Sequence, residues 1–179
     1  TQFSWTYDGT LPGSFTTGNV TAVGGTVVSG YWNNTNTSVN IVVPVDDTDS
    51  TLTGGTLQLR VKVNSGSFVN LDSAYTILSG NLNSTITRTV TAAVLEAISG
   101  FGNGVMLTFN TILTDNVGNA RTGTASGTTI TVDQSKPSIT IASSTNGVSS
   151  GSTTDDGSIV LTFATSESTE NFAYGDISV

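Results

Sequence analysis

The chain has 179 residues and a net charge of −8, and it contains neither cysteine nor histidine. Disulfide bonds, Cys/His zinc sites and catalysis by Ser-His-Asp or Cys-His groups are therefore excluded by composition. Five basic residues against thirteen acidic ones also argue against nucleic acid as a partner, because binding a polyphosphate needs a basic stripe.

The sequence has no apolar run near the roughly 20 residues that a membrane helix needs, so we expect no membrane insertion. The first residue is Thr, and we expect a fragment of a longer, secreted precursor. The absence of cysteine suits a bacterial surface protein that avoids disulfides. The predicted location is therefore the bacterial cell surface or the secreted fraction.

Short alternating runs rich in Val, Thr and Ile, separated by Gly, Asn and Ser, predict an all-β sandwich. In LQLRVKV at 57–63, Leu and Val side chains share one face, while Gln58, Arg60 and Lys62 share the other. The segment AAVLEAISGF at 92–101 predicts a single short helix or 3-10 turn. In chain order, strands are predicted at 3–7, 38–45, 57–63, 74–78, 86–91, 104–113, 127–132, 138–142 and 158–165.

Two pairs of similar segments indicate an internal repeat. FSWTYDGTLP matches TTITVDQSKP, which aligns Asp8 with Asp133 and Pro12 with Pro137. In each copy an apolar strand, an acidic residue and a short linker precede a rigid Pro, as at a joint between repeats.

A second match supports the repeat. SVNIVVPVDD resembles SIVLTFATSE, which aligns Asp47 with Glu167. We therefore predict three parts: the last strand and linker of a preceding repeat at 1–11, a complete immunoglobulin-like β-sandwich at 12–136, and the beginning of a following repeat at 137–179.

The segment TDNVGNARTGTASGTTITVDQSKPSITI resembles the closing hairpin and linker of bacterial immunoglobulin-like (Big-type) repeats in large cell-surface adhesins. STTDDGSIVLTFATSESTENFAYGDISV resembles the opening half of such a repeat. The resemblance implies an immunoglobulin-like antiparallel β-sandwich that acts as a structural spacer in cell adhesion. Its partners would be neighbouring repeats of the same chain, and Ca²⁺ would stiffen the joints.

Acidic residues near the predicted joints are candidate calcium ligands, because Ca²⁺ takes six to eight oxygen ligands from carboxylates, amides and backbone carbonyls. We expect one joint to combine Asp115, Asn116 and Asp133 with Asp155, Asp156, Glu167 or Asp176 of the next unit. The other joint would combine Asp8 with Asp46, Asp47 or Asp49.

Both acidic segments have a simpler interpretation. Residues 115–119 can form a hairpin turn in which Asp and Asn bond the local backbone and Gly or Asn takes a positive φ. Residues 46–49 can form an exposed, solvated turn, since the segment lacks the Gly and the closing Glu of an EF-hand.

An alternative function is a carbohydrate- or partner-binding β-sandwich, in which Tyr31 and Trp32 stack on a glycan or another surface ligand. A lone Trp in a sandwich more often belongs to the core. Carboxylate pairs could hydrolyse glycosides, but no spacing selects a pair, so we expect no enzyme. The segments 1–8 and 137–179 of neighbouring molecules could also complement each other in head-to-tail self-association.

Overall fold

The computed structural model describes residues 3–46, 48–167 and 173–177. The chain divides into two compact units, residues 1–134 and 135–179. The second unit thus begins at Ser135, whereas the sequence predicted a boundary after residue 136. Each unit contains its own β-structure, and the first unit carries the large sheets.

The first unit contains ten strands and one short α-helix among its described residues. In chain order the strands are β1 (Val20–Val23), β2 (Tyr31–Trp32), β3 (Ser38–Val45), β4 (Thr56–Val63), β5 (Val69–Asn70), β6 (Tyr75–Thr76), β7 (Ser84–Thr91), β8 (Met106–Thr114), β9 (Ala120–Thr122) and β10 (Ile130–Val132). The helix α1 spans Ala92–Glu96, and 3-10 turns span Ser50–Leu52 and Ser79–Asn81. The second unit contains β11 (Ile139–Ser143), β12 (Leu161–Thr165) and a 3-10 turn at Tyr174–Asp176.

The strands of the first unit form two sheets. In the smaller sheet, β3 pairs antiparallel with β1 on one side and with β7 on the other. In the larger sheet the order is β2-β10-β8-β4-β5, with β6 also paired to β4 and β9 to β8. The pairing of β10 with β2 is parallel, and the other pairs are antiparallel. The antiparallel pair β11–β12 forms a separate sheet in the second unit.

The two sheets of the first unit share one apolar core. Val39, Ile41 and Val43 of β3 belong to the same buried cluster as Val61 of β4 and Phe109 of β8. The predicted alternation along β4 is confirmed, because Leu and Val are turned to the core while Gln, Arg and Lys lie outward. The predicted all-β sandwich is therefore confirmed.

Local sequence predicted the long elements better than the short ones. The strands β3, β4, β7 and β8 lie where they were predicted, and α1 occupies the first half of the predicted helix. The strand predicted at 3–7 is wrong, because the segment lies outside every sheet of the described chain and Phe3, Trp5 and Tyr7 are exposed. An extended segment becomes a strand only when it pairs with a neighbour, and this one pairs with none of the described strands.

Removing a core ring should destabilise the sandwich far more than shortening an outward side chain of the same strand. Phe109 and Ile112 both lie on β8, but Phe109 is fully buried and Ile112 is partly exposed. Phe109→Ala should lower the free energy of unfolding by about 3–5 kcal/mol, and Ile112→Ala by about 1 kcal/mol. Urea unfolding followed by Trp fluorescence measures both values, and equal losses would contradict this placement of the core.

Candidate functional site

The carboxylate of Asp115 organises the turn between β8 and β9. Its Oδ1 accepts the backbone N–H groups of Val117 at 3.0 Å, Gly118 at 2.7 Å and Asn119 at 2.8 Å. Its Oδ2 accepts Asn119 Nδ2 at 2.8 Å. Gly118 has a φ of 104°, a conformation that favours glycine. The predicted hairpin turn with local Asp and Asn bonds is therefore confirmed.

These hydrogen bonds also determine the charge of Asp115. The side chain is only 4% exposed, and this burial alone would raise its pKa. The donors from Asn119, Val117 and Gly118 outweigh burial because they stabilise the ionised form, and they hold the pKa of Asp115 below its ordinary value of 3.8. Asp115 is therefore a buried carboxylate at neutral pH.

A second buried carboxylate, Asp49, lies beside this turn. Asp49 Oδ1 accepts the backbone N–H of Thr51 at 2.9 Å and so caps the 3-10 turn Ser50–Leu52. The Thr51 hydroxyl donates to Asp49 Oδ1, and it lies 3.5 Å from Asp115 Oδ2. Asp49 is 5% exposed, and its Oδ2 is buried without a hydrogen-bond partner. An unsatisfied buried carboxylate oxygen is energetically unfavourable, and a bound cation would remove that penalty.

The segment that precedes the sandwich is fastened to the same end. Asn119 Nδ2 donates to the backbone carbonyl of Asp8 at 3.2 Å, and Arg121 Nε donates to the carbonyl of Pro12. The Asp8 carboxylate accepts the backbone N–H of Thr10 at 2.9 Å. This bond lowers the pKa of Asp8, while partial desolvation and the negative charge of Asp115 oppose the shift.

We call Asp8, Asp49 and Asp115 the acidic cluster. The hydroxyl of Thr51 donates to Asp49 Oδ1 and lies 3.5 Å from Asp115 Oδ2. It is also near enough to the Asp8 carboxylate to help lower the pKa of Asp8, so it connects the three residues. Within the part of the chain that the structure describes, no three acidic side chains are close enough to hold a metal ion as they stand. A cation at the acidic cluster would therefore draw ligands together or use backbone carbonyls as well.

The expectation that Asp115, Asn116 and Asp133 share one end of the sandwich is wrong. In the antiparallel register of β10 with β8, Thr131 pairs with Met106, so Asp133 lies where β8 begins. Asp115 and Asn116 follow the other end of β8, which has nine residues. A strand of that length spans about 30 Å at roughly 3.4 Å per residue. Sequence spacing alone did not reveal which end of the sheet each residue would occupy.

The end of the sandwich that carries Asp133 is fastened differently. Asp133 donates its backbone N–H to the carbonyl of Trp32 at 2.7 Å, and Gln134 donates its own to Asn103 Oδ1 at 2.7 Å. Glu96 Oε1 at the end of α1 accepts both Trp32 Nε1 and Gln134 Nε2 at 3.0 Å. One carboxylate oxygen thus connects the core Trp to the chain that leaves β10.

The two aromatic residues of β2 differ in accessibility. Trp32 is 0% exposed and belongs to the core, as expected for a lone Trp in a sandwich, so its ring has no free face for a sugar. Tyr31 remains 45% exposed. The structure therefore leaves Tyr31 as the accessible member of the pair predicted to bind a ligand.

The remaining predicted ligands are mostly exposed. Asp46 is exposed and accepts the backbone N–H of Thr48 at 3.0 Å. Asn116 is also exposed and donates its amide to the carbonyl of Thr53 at 3.1 Å. Asp47 lies outside the described residues. In the second unit, Asp155 and Asp156 are exposed, and Glu167 is partly buried.

Sequence reasoning missed the burial of Asp49, which it placed in an exposed turn. The signal was present in the order Asp-Ser-Thr, since an Asp two residues before Thr51 is a typical cap for a short helical turn. It also missed Asn119 as the donor that joins the turn to Asp8. Nothing in the sequence pattern indicates this contact, because 111 residues separate its two partners.

Comparisons with known proteins do not extend the site. No family model matches the chain, and no curated protein or solved structure matches it either. The chemistry of the site must therefore be inferred from its own side chains.

In the described part of the chain, no helix has both the length and the apolar character needed to cross a membrane.

The pH dependence of stability should report the ionised state of Asp115. A carboxylate with a lowered pKa stabilises the fold above its ordinary pKa of 3.8, and this contribution is lost as the pH falls through the lower pKa of the folded state. Asp115→Asn should therefore lower the free energy of unfolding by about 1–3 kcal/mol at neutral pH. Its stability should then fall less steeply than that of the wild type below pH 3.8.

Urea unfolding at several pH values measures this difference. Asp72→Asn is the matched control, because Asp72 makes one partly exposed ion pair with Arg88 at 3.7 Å. Asn also tolerates the positive φ of 61° at this position. Parallel pH curves for wild type and Asp115→Asn would contradict the role given to the Asp115 carboxylate.

Proposed function

We propose that the chain is a structural spacer of the immunoglobulin-like repeat type in a bacterial cell-surface or secreted adhesin. Calcium at the joints between repeats would stiffen the array and so support cell adhesion without catalysis. The observation that carries this proposal is the buried, unpartnered Oδ2 of Asp49 within the acidic cluster. The all-β sandwich is compatible with such a repeat.

The chemistry of the acidic cluster favours a hard cation. Its available ligands are carboxylate, hydroxyl and backbone carbonyl oxygens, the set that Ca²⁺ takes at roughly 2.3–2.6 Å. The lowered pKa values of Asp8 and Asp115 keep both groups ionised near neutral pH. Calcium binding would therefore release few protons. The bound cation would also offset the electrostatic repulsion between the carboxylates of the acidic cluster.

The placement of the cluster explains how an ion could stiffen a joint. Asp8 belongs to the segment before Pro12, whereas Asp49 and Asp115 belong to loops of the sandwich. An ion shared by these groups would add a link between that segment and the domain. The existing bond from Asn119 to the carbonyl of Asp8 already holds the two parts close together.

Calcium should bind saturably and raise the melting temperature relative to chelator, because a ligand that prefers the folded state stabilises it. Asp49→Asn removes one charge but keeps an Oδ1 that can cap Thr51. It should weaken calcium binding at least tenfold, which corresponds to about 1.4 kcal/mol. Calorimetry and thermal melts, each with and without calcium, measure both effects.

Asp72→Asn serves as the control for the loss of one negative charge and should bind calcium like the wild type. Absence of saturable binding in the wild type would overturn the calcium proposal. Equal weakening by Asp49→Asn and Asp72→Asn would show a general effect of net charge and would contradict a site at the acidic cluster.

Asp133 aligns with Asp8 in the internal repeat, so it should act at the following joint. Asp133→Ala removes the carboxylate but keeps the backbone N–H that bonds Trp32. Small-angle scattering in calcium should therefore show a more flexible chain for the variant, while urea unfolding shows that the first unit is still folded. Equal flexibility of wild type and variant would refute a calcium-dependent role for Asp133.

A further inference from the structure

The outer face of β4 carries a group of side chains that the proposed spacer role does not use. Arg60 and Lys62 project from this face, and both cations lie near the ring of Phe68, at 5.8 Å and 5.2 Å from its centroid. Asn110 of β8 is the direct cross-strand partner of Arg60. We call Arg60, Lys62, Phe68 and Asn110 the Phe68 patch.

The Phe68 patch contains a hydrogen-bond donor and an acceptor that lack partners. Arg60 uses one terminal nitrogen to donate to the carbonyl of Phe68 at 2.7 Å, but its Nε is buried and unpartnered. Asn110 is 5% exposed, and its Oδ1 is also buried and unpartnered. Because the two residues are opposed in the strand register, one hydroxyl group could accept from Arg60 Nε and donate to Asn110 Oδ1.

The charge of the patch is unusual for this protein. The chain has only five basic residues against thirteen acidic ones, yet two of the five lie on one strand face without an acidic partner. In the described part of the chain, the ion pair found joins Arg88 to Asp72 and leaves Arg60 and Lys62 without a carboxylate. The patch is therefore complementary to a small anion rather than to the rest of the protein surface.

We infer that the Phe68 patch binds a carboxylate-bearing sugar residue of a glycan. The sugar carboxylate would bind Lys62 and the guanidinium of Arg60, as charge-assisted hydrogen bonds favour. A neighbouring hydroxyl would reach Arg60 Nε and Asn110 Oδ1 only when the side chains that cover these two buried atoms shift on binding. Phe68 is partly buried, and its ring, which both cations approach, adds an apolar contact for the C–H groups of the sugar.

The size of the patch distinguishes this ligand from a nucleic acid. Two cations would neutralise few phosphates, and a net charge of −8 would repel a long polyphosphate. A sugar that presents one carboxylate beside several hydroxyls matches both the charge and the two unpartnered atoms. This inference is independent of calcium at the acidic cluster, since the two sites share no residue.

The test uses the whole chain and a tetrasaccharide from hyaluronan, in which every second sugar carries a carboxylate. Titration followed by amide NMR shifts should show saturable changes at the Phe68 patch. Lys62→Gln should raise the dissociation constant about tenfold, as expected for loss of one charged hydrogen bond. Lys136→Gln removes the same charge from an exposed position in the second unit and should bind like the wild type.

A neutral tetramer of N-acetylglucosamine separates carboxylate recognition from general sugar binding and should bind at least tenfold more weakly. The inference is overturned if no saturable change appears at about 10 mM ligand, a concentration ten times a dissociation constant of about 1 mM. It is also overturned if the neutral tetramer or Lys62→Gln binds equally well. Tighter binding of an oligothymidylate than of the hyaluronan tetrasaccharide would assign the patch to nucleic acid. Shifts of the same amides when the protein alone is diluted would assign the patch to contact with a second copy of the chain.

Discussion

The fold of the first unit depends on two antiparallel ladders, β3–β7 and β4–β8, whose inward faces are buried against each other. Each ladder pairs eight residues of one strand with eight of the other, and burial alternates along β3 and β4, one strand of each ladder. A slip of one residue would turn the apolar set of a strand to water, so burial fixes the register. Because the register is fixed, the sandwich also fixes which polar groups gather at each of its ends. The turn organised by Asp115 lies at one end, and the Glu96 bonds to Trp32 and Gln134 lie at the other.

The two ends of the sandwich are held by different physical interactions. At one end, the ionised carboxylates of Asp8 and Asp115 lie near Asp49. Local N–H donors satisfy Asp115, while Asp49 keeps one oxygen without a partner. At the other end, a single carboxylate, Glu96, accepts from the indole of Trp32 and the amide of Gln134. The first arrangement should respond to ionic strength, because salt screens the repulsion between its charges. The second is satisfied by neutral donors, so it should respond little to added cations.

The sequence predicted those features that depend on local patterns. The alternation in LQLRVKV was sufficient to locate β4 and its buried face, and the Asp115–Asn119 segment was sufficient to predict a turn. Four strands of two to four residues, β1, β2, β5 and β9, were missed, because partners distant in sequence stabilise them and local propensity contributes little. The prediction that Asp115 and Asp133 lie at the same end of the sandwich was wrong for a related reason. Strand direction and register decide which end of a sheet a residue occupies, and neither can be inferred from the spacing of acidic residues.

The two aligned residues Asp8 and Asp133 lie at different places relative to the first unit. Asp8 lies beside the turn of the domain that follows it in the chain, through the bond from Asn119 to its carbonyl. Asp133 aligns with Asp8, and it lies at the end of the first unit opposite to the Asp115 turn. The carbonyl of Asp8 is bonded to the sandwich that follows Asp8 in the chain, whereas the backbone N–H of Asp133 is bonded to Trp32 of the sandwich that precedes it. The two aligned residues therefore have different surroundings although their local sequences match, because strand pairing and not local sequence decides where a residue lies relative to a sheet.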